Sequence, residues 1–374
     1  MKAVAFQTPG PIDREDALQD ITLDVPTATG RDLLVKVHAV SVNPVDTKVR
    51  RRVTPGPGEW CVLGFDASGT VEAVGPDVTN FQPGDAVFYA GSIDRQGTNS
   101  EFHLVDERIV GRKPTSLNDA QAAALPLTAI TAWEMLFDRL DVKRPTVQGA
   151  NTILIVGGAG GVGSITIQLL RALTDLTVVA TASRPETQDW VKECGAHYVI
   201  DHRQPMAPQL QSLGLEAPGY VFSTTHTHLH LDDIAELIAP QGRFGLIDDP
   251  DELDARVLKR KAISLHWELM FTRPLFNTPD VEEQSKLLNE VSALVDAGRI
   301  RSTATEVAGK INAATLKDIH TRIESGTARG KIVLEDPGQR SNPRQIASLP
   351  CPVGQATVYI GCTGGPQHNI ATAQ

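Results

Sequence analysis

The six residues Gly158-Ala159-Gly160-Gly161-Val162-Gly163 limit the fold of this chain more than any others, because of what flanks them. The apolar run Thr152-Ile153-Leu154-Ile155-Val156 comes just before, and Val162, Ile165, Ile167, Leu169 and Leu170 continue with helical spacing just after. Strand, glycine turn and helix in that order form the first unit of a dinucleotide-binding fold. Glycine permits the tight turn, lets the backbone approach a pyrophosphate without a Cβ clash, and lets the helix lie close to the sheet. The helix amino end then presents unpaired N–H groups to phosphate. Gly158, Gly160, Gly161, Val162 and Gly163 are therefore cofactor-binding candidates.

The alternation continues through Val178-Val179-Ala180, Tyr198-Val199-Ile200, Tyr220-Val221-Phe222 and Phe244-Gly245-Leu246-Ile247. Repeated βα units imply a parallel sheet covered on both faces. The part before about Leu125 differs: short alternating runs such as Leu33 to Val40 and Gly69 to Val74, punctuated by Pro and Gly, read as a β-rich barrel. Between Ala120 and Leu140 the pattern is helical. Two later helical patterns, Val281 to Ala297 and Ala313 to Ser325, precede an apparent closing strand, Lys331 to Leu334. From Asp336 to Gln374 there is no useful period and little charge, so this segment reads as a mobile extension.

The strand after the glycine helix bears on cofactor choice. An NAD site offers Asp or Glu about 20 residues past the glycines to the ribose 2′-hydroxyl. Here the strand ends Thr181-Ala182-Ser183-Arg184. Ser183 can donate to a 2′-phosphate and Arg184 can pair with it through two N–H groups, so NADP(H) is the better fit. Alternatively, Arg184 is a solvated strand-end residue paired with Glu186.

The formal net charge of −10 speaks against nucleic-acid or anionic-membrane partners unless a local basic patch overrides it. Arg50-Arg51-Arg52 is the one candidate patch and reads as a solvated turn. Cys61, Cys194, Cys351 and Cys362 are scattered without a disulfide framework or metal spacing, which suits a reducing, cytoplasmic setting. The amino-terminal run Met1 to Phe6 lacks the apolar core of a signal peptide and reads as a first strand, and no apolar run reaches membrane-helix length.

Six blocks in order carry a family resemblance: Ser41-Val42-Asn43-Pro44-Val45-Asp46, Gly64-Phe65-Asp66-Ala67-Ser68-Gly69, Phe81-Gln82-Pro83-Gly84-Asp85-Ala86-Val87, Leu125 to Trp133, the glycine turn, and Ala328-Arg329-Gly330-Lys331-Ile332-Val333. On these the chain, from Met1 to about Glu335, resembles the medium-chain dehydrogenase/reductases, in particular quinone oxidoreductase-like and zinc-type alcohol dehydrogenase-like proteins. The resemblance implies an α/β fold in which a GroES-like β-barrel catalytic domain, 1–126 and 271–335, brackets a Rossmann domain, 127–270; the segment 336–374 lies beyond it and reads from its composition as a disordered tail. It implies that nicotinamide lies in the cleft between them, with Asn43, Asp46 and Thr128 near that end, and that Gly160, Gly161, Val162, Ser183 and Arg184 hold the phosphates and adenosine. It also implies a homodimer. Where the family often has Lys and Tyr near the adenosine phosphate, this chain has Thr187 and His202; His202 joins the cofactor candidates, and Arg184 stands to replace the missing contacts.

Zinc ligands are another departure. The family's early Cys falls in Asn43 to Asp46, its His of a GHE block is Phe65, and no Cys occurs between Cys61 and Cys194, so no metal site is expected. The run His226, His228 and His230 is the one alternative, and it reads better as polar residues of a βα turn leading to a helix at Leu231. Without zinc an alkoxide has no strong electrophile, so the residues favour hydride transfer from NADPH to a quinone or an enone. Asn43 is the candidate hydrogen-bond partner of substrate or cofactor, and Asp46 the residue that fixes its geometry. The alternatives are an NADP(H)-binding redox sensor without turnover and, third, a zinc-dependent alcohol dehydrogenase. Trp60, Phe65, Phe88, Trp267 and Phe271 are candidate pocket walls or, more simply, packed core.

Overall fold

The computed structural model describes residues 1–146 and 150–335. Six parallel strands form one sheet, in the spatial order Tyr198–Ile200, Thr177–Thr181, Thr152–Val156, Tyr220–Ser223, Arg243–Leu246 and Ser264–Trp267. Numbered along the chain this is three-two-one-four-five-six, the doubly wound Rossmann order. All five residues of Thr152–Val156 are buried, and the pleat sends them alternately to two cores. Ile153 and Ile155 face a cluster with Ile165 and Leu169 of the helix Gly161–Leu173. Leu154 and Val156 join Leu231 and Ile234 of the helix Thr227–Leu237 on the other side.

A seven-stranded mixed sheet forms the second body. Its order is Ala304–Lys310, Lys331–Glu335, Asp32–Ser41, Asp66–Val74, Ala86–Tyr89, Val110–Arg112, and Phe102–Asp106 also pairs with Asp32–Ser41. Lys331–Glu335, the expected closing strand, runs antiparallel to Asp32–Ser41 with Val333 opposite Ser41. The chain thus leaves this body, builds the parallel sheet and returns. Lys2–Phe6 is a strand, as its alternation predicts, in a small sheet with Gln19–Thr22 and Cys61–Val62.

Several expectations change. The helical stretch after Ala120 is broken: Asn118 caps Asp119–Ala123, Pro126 opens Pro126–Trp133, and a wider π turn continues over Glu134–Arg139. A break there follows from Pro, which fits the first helical position and not an interior one. Arg50-Arg51-Arg52 is not a solvated turn but the last turn of the helix Pro44–Arg52. Arg50 is fully buried and ion-paired with Glu324 of the helix Ala313–Glu324, while Arg51 and Arg52 are exposed. The helix expected from Leu231 begins at Thr227, whose N–H and hydroxyl both bond the Asp248 carboxylate. Phe65, Phe88 and Phe271 are core, whereas Trp267 is half exposed. The expected extension Asp336 to Gln374, with Cys351 and Cys362, lies outside the described residues.

Candidate active site

The glycine turn joins Thr152–Val156 to Gly161–Leu173. Gly157 has φ +81°, a left-handed value that glycine adopts without strain. Its N–H donates to the Thr181 hydroxyl at 2.9 Å, and Gly158 N–H to the Thr181 carbonyl at 3.1 Å, so the turn is pinned to the neighbouring strand. A Cβ on Gly163 would stand 2.5 Å from the Gly157 carbonyl oxygen, and one on Gly158 2.8 Å from the Ala180 methyl. These two glycines serve close packing. At Gly160 the nearest atom would be 3.7 Å away, so the backbone there is open to an approaching ligand. Val162 lies in the first helical turn, whose N–H groups have no carbonyl one turn earlier to bond. The residues present therefore fit a dinucleotide pyrophosphate at the helix amino end.

Gly161 meets the other body. A Cβ on it would lie 2.8 Å from Cδ of Lys331 and 3.1 Å from Cγ2 of Thr128. Gly330 N–H also donates to the Ala159 carbonyl at 2.9 Å, so the strand Lys331–Glu335 starts against the glycine turn. Lys331, almost fully buried, donates to the Val42 carbonyl at 2.9 Å, to Asn43 Oδ1 and to Asp66, 3.1 Å away at Oδ2. Asp66 accepts from Asn43 Nδ2 at 2.8 Å and from Leu127 N–H at 2.7 Å. Asp46 accepts from Asn43 N–H at 2.7 Å and from Gly64 N–H at 2.9 Å.

Asn43, Asp46 and Thr128 are thus brought together beside the glycine turn. The side-chain amide of Asn43 is directed inward, to Asp66, Lys331 and the Ser41 carbonyl. Burial pushes the Asp46 carboxyl up to about 7 against the pull of its backbone donors. Burial likewise raises Asp66 and lowers Lys331, although each favours the charged form of the other. Asp66 and Lys331 were not singled out from sequence. The signal was a lone charge inside each of two otherwise small or apolar runs.

On the neighbouring strands, Thr181 pairs with Ile200, which places Ser183 and His202 at matching distances past two adjacent strands. His202 Nδ1 lies 3.1 Å from the Thr181 hydroxyl. Arg184 is half-buried, 3.3 Å from Glu186 in an ion pair, and donates to the Thr327 carbonyl at 3.2 Å. The Glu186 pairing weighed from sequence is therefore present, and the guanidinium is engaged by Glu186 and the Thr327 carbonyl. Arg203, which sequence reasoning passed over, donates to the Ser183 carbonyl at 2.6 Å and pairs with Asp201 at 2.7 Å.

The histidine run is not a loop. His226 precedes the helix Thr227–Leu237, in a left-handed conformation at φ +50°, and His228 and His230 sit in its first turn. Among the described residues no group of three or more His, Cys, Asp or Glu side chains could hold a metal ion. The zinc donor set also fails to fit chemically: Phe65 is packed against Phe271 in the core, with ring centroids 5.0 Å apart, and Asn43 and Asp46 are engaged within the protein.

Comparison with known proteins agrees with this architecture. The family model described as alcohol dehydrogenase GroES-like domain matches residues 29–115, and the one described as zinc-binding dehydrogenase matches 194–334. A zinc-type alcohol dehydrogenase-like protein of Staphylococcus aureus is 39% identical over 337 residues, covering 89% of this chain and 99% of the relative. A crystal structure described as that of a zinc-dependent alcohol dehydrogenase protein of Rhizobium etli is 63% identical, with a TM-score of 0.89, over 91% of this chain and 99% of that one. A mycobacterial protein solved with NADPH is 26% identical, with a TM-score of 0.75, over 90% of this chain and all of that one. With both family models matched and relatives covered almost in full, the chain belongs to the medium-chain dehydrogenase/reductase superfamily of oxidoreductases.

Proposed function

We propose that this oxidoreductase uses NADPH to reduce a quinone or an activated alkene by hydride transfer, without zinc. The observation that carries the reading is the end of the strand Thr177–Thr181. Where a carboxylate would grip an unmodified ribose, the chain has Ser183 followed by Arg184, and Arg203 adds a second cation at the Ser183 carbonyl. The mycobacterial relative solved with NADPH supports the same cofactor.

When bound, the cofactor supplies a hydride from its nicotinamide ring. The helix amino end at Gly160 to Gly163 binds its pyrophosphate, and Ser183, Arg184 and His202 hold the adenosine phosphate. Thr128 and Lys331 floor the cleft against Gly161, and Asn43 and Asp46 fix the segment that faces the nicotinamide. A quinone or enone that takes up hydride spreads the charge over its conjugated system and then takes one proton from water. Proximity and orientation therefore do most of the work, and no Lewis acid is needed. The zinc named for the relatives finds no fitting donor set here.

We also assign a homodimer and a reducing, cytoplasmic setting. Among the described residues the edge strand Ser264–Trp267 has no outer partner, Trp267 on it and Leu269 just past it are 50% and 52% exposed, and Phe276 of the helix Thr272–Phe276 is 71% exposed. A second copy covers such an edge and its apolar margin. Cys61 and Cys194 are free thiols, and among the described residues no helix is long and apolar enough to cross a membrane.

The test is NADPH oxidation followed with a panel of quinones, enones and enals, with alcohols as the reverse control. Turnover with the conjugated acceptors supports the assignment. Cofactor binding without turnover on any of them would favour the redox-sensor alternative.

A further inference from the structure

Four histidines gather where the adenosine end of the cofactor would lie. His202 follows the strand Tyr198–Ile200, and His226, His228 and His230 follow Tyr220–Ser223, all at the carboxyl ends of parallel strands. The His202 and His230 rings meet edge to face with centroids 5.7 Å apart, and His226 and His228 are 6.5 Å apart. His202 and His230 are half-buried, whereas His226 and His228 are exposed. His202 is also tied to the glycine turn, since the Thr181 hydroxyl that it contacts accepts the Gly157 N–H. A packed core has no use for four imidazoles around one edge, and no metal-holding group exists among the described residues.

We propose that His202 and His230, with His226 and His228 beside them, form a protonatable anion subsite for the phosphate on the adenosine ribose, so that cofactor choice shifts toward NADPH as the pH falls. The inference rests on the cofactor reading above. Its geometry is the matched placement of Ser183 and His202 past paired strands, with the cation of Arg203 held at the Ser183 carbonyl.

The charges that face this group are mixed. Asp201 adjoins His202 and favours its protonation, but Asp201 is engaged by Arg203, which opposes it. His226, just before the helix Thr227–Leu237, opposes protonation of both rings, and His202 and His228 oppose that of His230, whereas Asp233 favours it. Asp233 also accepts the Met206 N–H of the helix Met206–Ser212. His226 Nδ1 lies 2.8 Å from the Thr225 hydroxyl. On balance, burial first and the like charges after it hold both His202 and His230 below the ordinary value of 6.5. In the free protein the surroundings thus disfavour the protonated form of both rings. A phosphate dianion reverses that balance, because an opposite charge at contact distance favours the protonated ring. Binding NADPH then takes up protons from solution, and binding NADH, which lacks that phosphate, does not.

Calorimetric titration of the full chain with NADPH and with NADH, in buffers of different ionisation enthalpy at about pH 6 and about pH 8, tests this directly. The expected result is proton uptake with NADPH alone, and an NADPH-to-NADH affinity ratio about tenfold larger at the lower pH. His230→Asn and His202→Asn should each reduce the uptake and flatten the ratio. Since His202→Asn also removes the contact to Thr181, the wild-type protein provides a second readout that needs no variant. Its imidazole NMR resonances should titrate upward with adenosine 2′-monophosphate and not with adenosine 5′-monophosphate. Tight NADPH binding with the same proton exchange as NADH, or uptake that survives both substitutions, would overturn the subsite and leave the cofactor assignment standing. Failure to bind NADPH at either pH would overturn the cofactor assignment and the subsite with it.

Discussion

Asp66 receives hydrogen bonds from three separate parts of the chain: Asn43, the Leu127 N–H, and Lys331 of the returning strand. The carboxylate and the ammonium are both buried, so removing one strands the other. Lys331→Met should therefore destabilise the fold by about 3–5 kcal/mol in urea unfolding. Asp66→Asn, which keeps an acceptor for Leu127, should cost less than Lys331→Met. Equal and small losses would mean that water replaces the missing partner. Arg184, which follows Ser183 in the chain and pairs with Glu186, carries a second expectation. Arg184→Ala should weaken NADPH binding by about tenfold, with little change for NADH, because one charge-assisted pair is lost. Fluorescence titration with both cofactors checks this, and equal weakening of the two would count against the assignment. The glycine residues of the site were readable from sequence because their flanking strand and helix are local. Asp66 and Lys331 were not, since each owes its role to partners that arrive from a distant segment, and Arg203 was not, since the Ser183 carbonyl reaches it from the end of the neighbouring strand.

Helices and strands were more legible than single contacts, for the same reason of locality. The unbroken apolar run Thr152–Val156 marks a strand covered on both faces, and its residues alternate between two cores as the pleat requires. The start of Thr227–Leu237 was missed because its capping partner, Asp248, lies beyond the next strand. The burial of Arg50 was missed because Glu324 lies far along the chain, on the helix Ala313–Glu324. That helix pair also buries His320, whose ring nitrogens have no hydrogen-bond partner among the described residues. Burial first, and the Arg50 charge next, push His320 down to about 3 from 6.5. The unfolded chain then binds the extra proton between these two values, so stability is intact above about pH 6.5 and falls as the pH drops toward 3. The slope approaches about 1.4 kcal/mol per pH unit for a full proton. His320→Leu should flatten that slope in urea unfolding across the acid range. An unchanged slope would place the acid sensitivity elsewhere.

Across the whole molecule, the strand Lys331–Glu335 belongs to one body and begins on the glycine turn of the other, through the Gly330 to Ala159 hydrogen bond and the contact of Lys331 with Gly161. Among the described residues the edge strand Ser264–Trp267 lacks an outer partner. Trp267→Lys together with Leu269→Lys should convert a dimer into a monomer in sedimentation, because buried ammonium groups oppose an apolar contact. A parent protein that is itself monomeric would remove the homodimer assignment. Reduction by NADPH without a metal stands or falls on one steady-state assay: NADPH consumption with a conjugated acceptor, run before and after exhaustive chelation and paired with elemental analysis of the same sample. The expected result is one acceptor reduced per NADPH, rates unchanged by chelator, and no stoichiometric zinc. About one zinc per chain, lost together with activity and accompanied by alcohol oxidation, would contradict it.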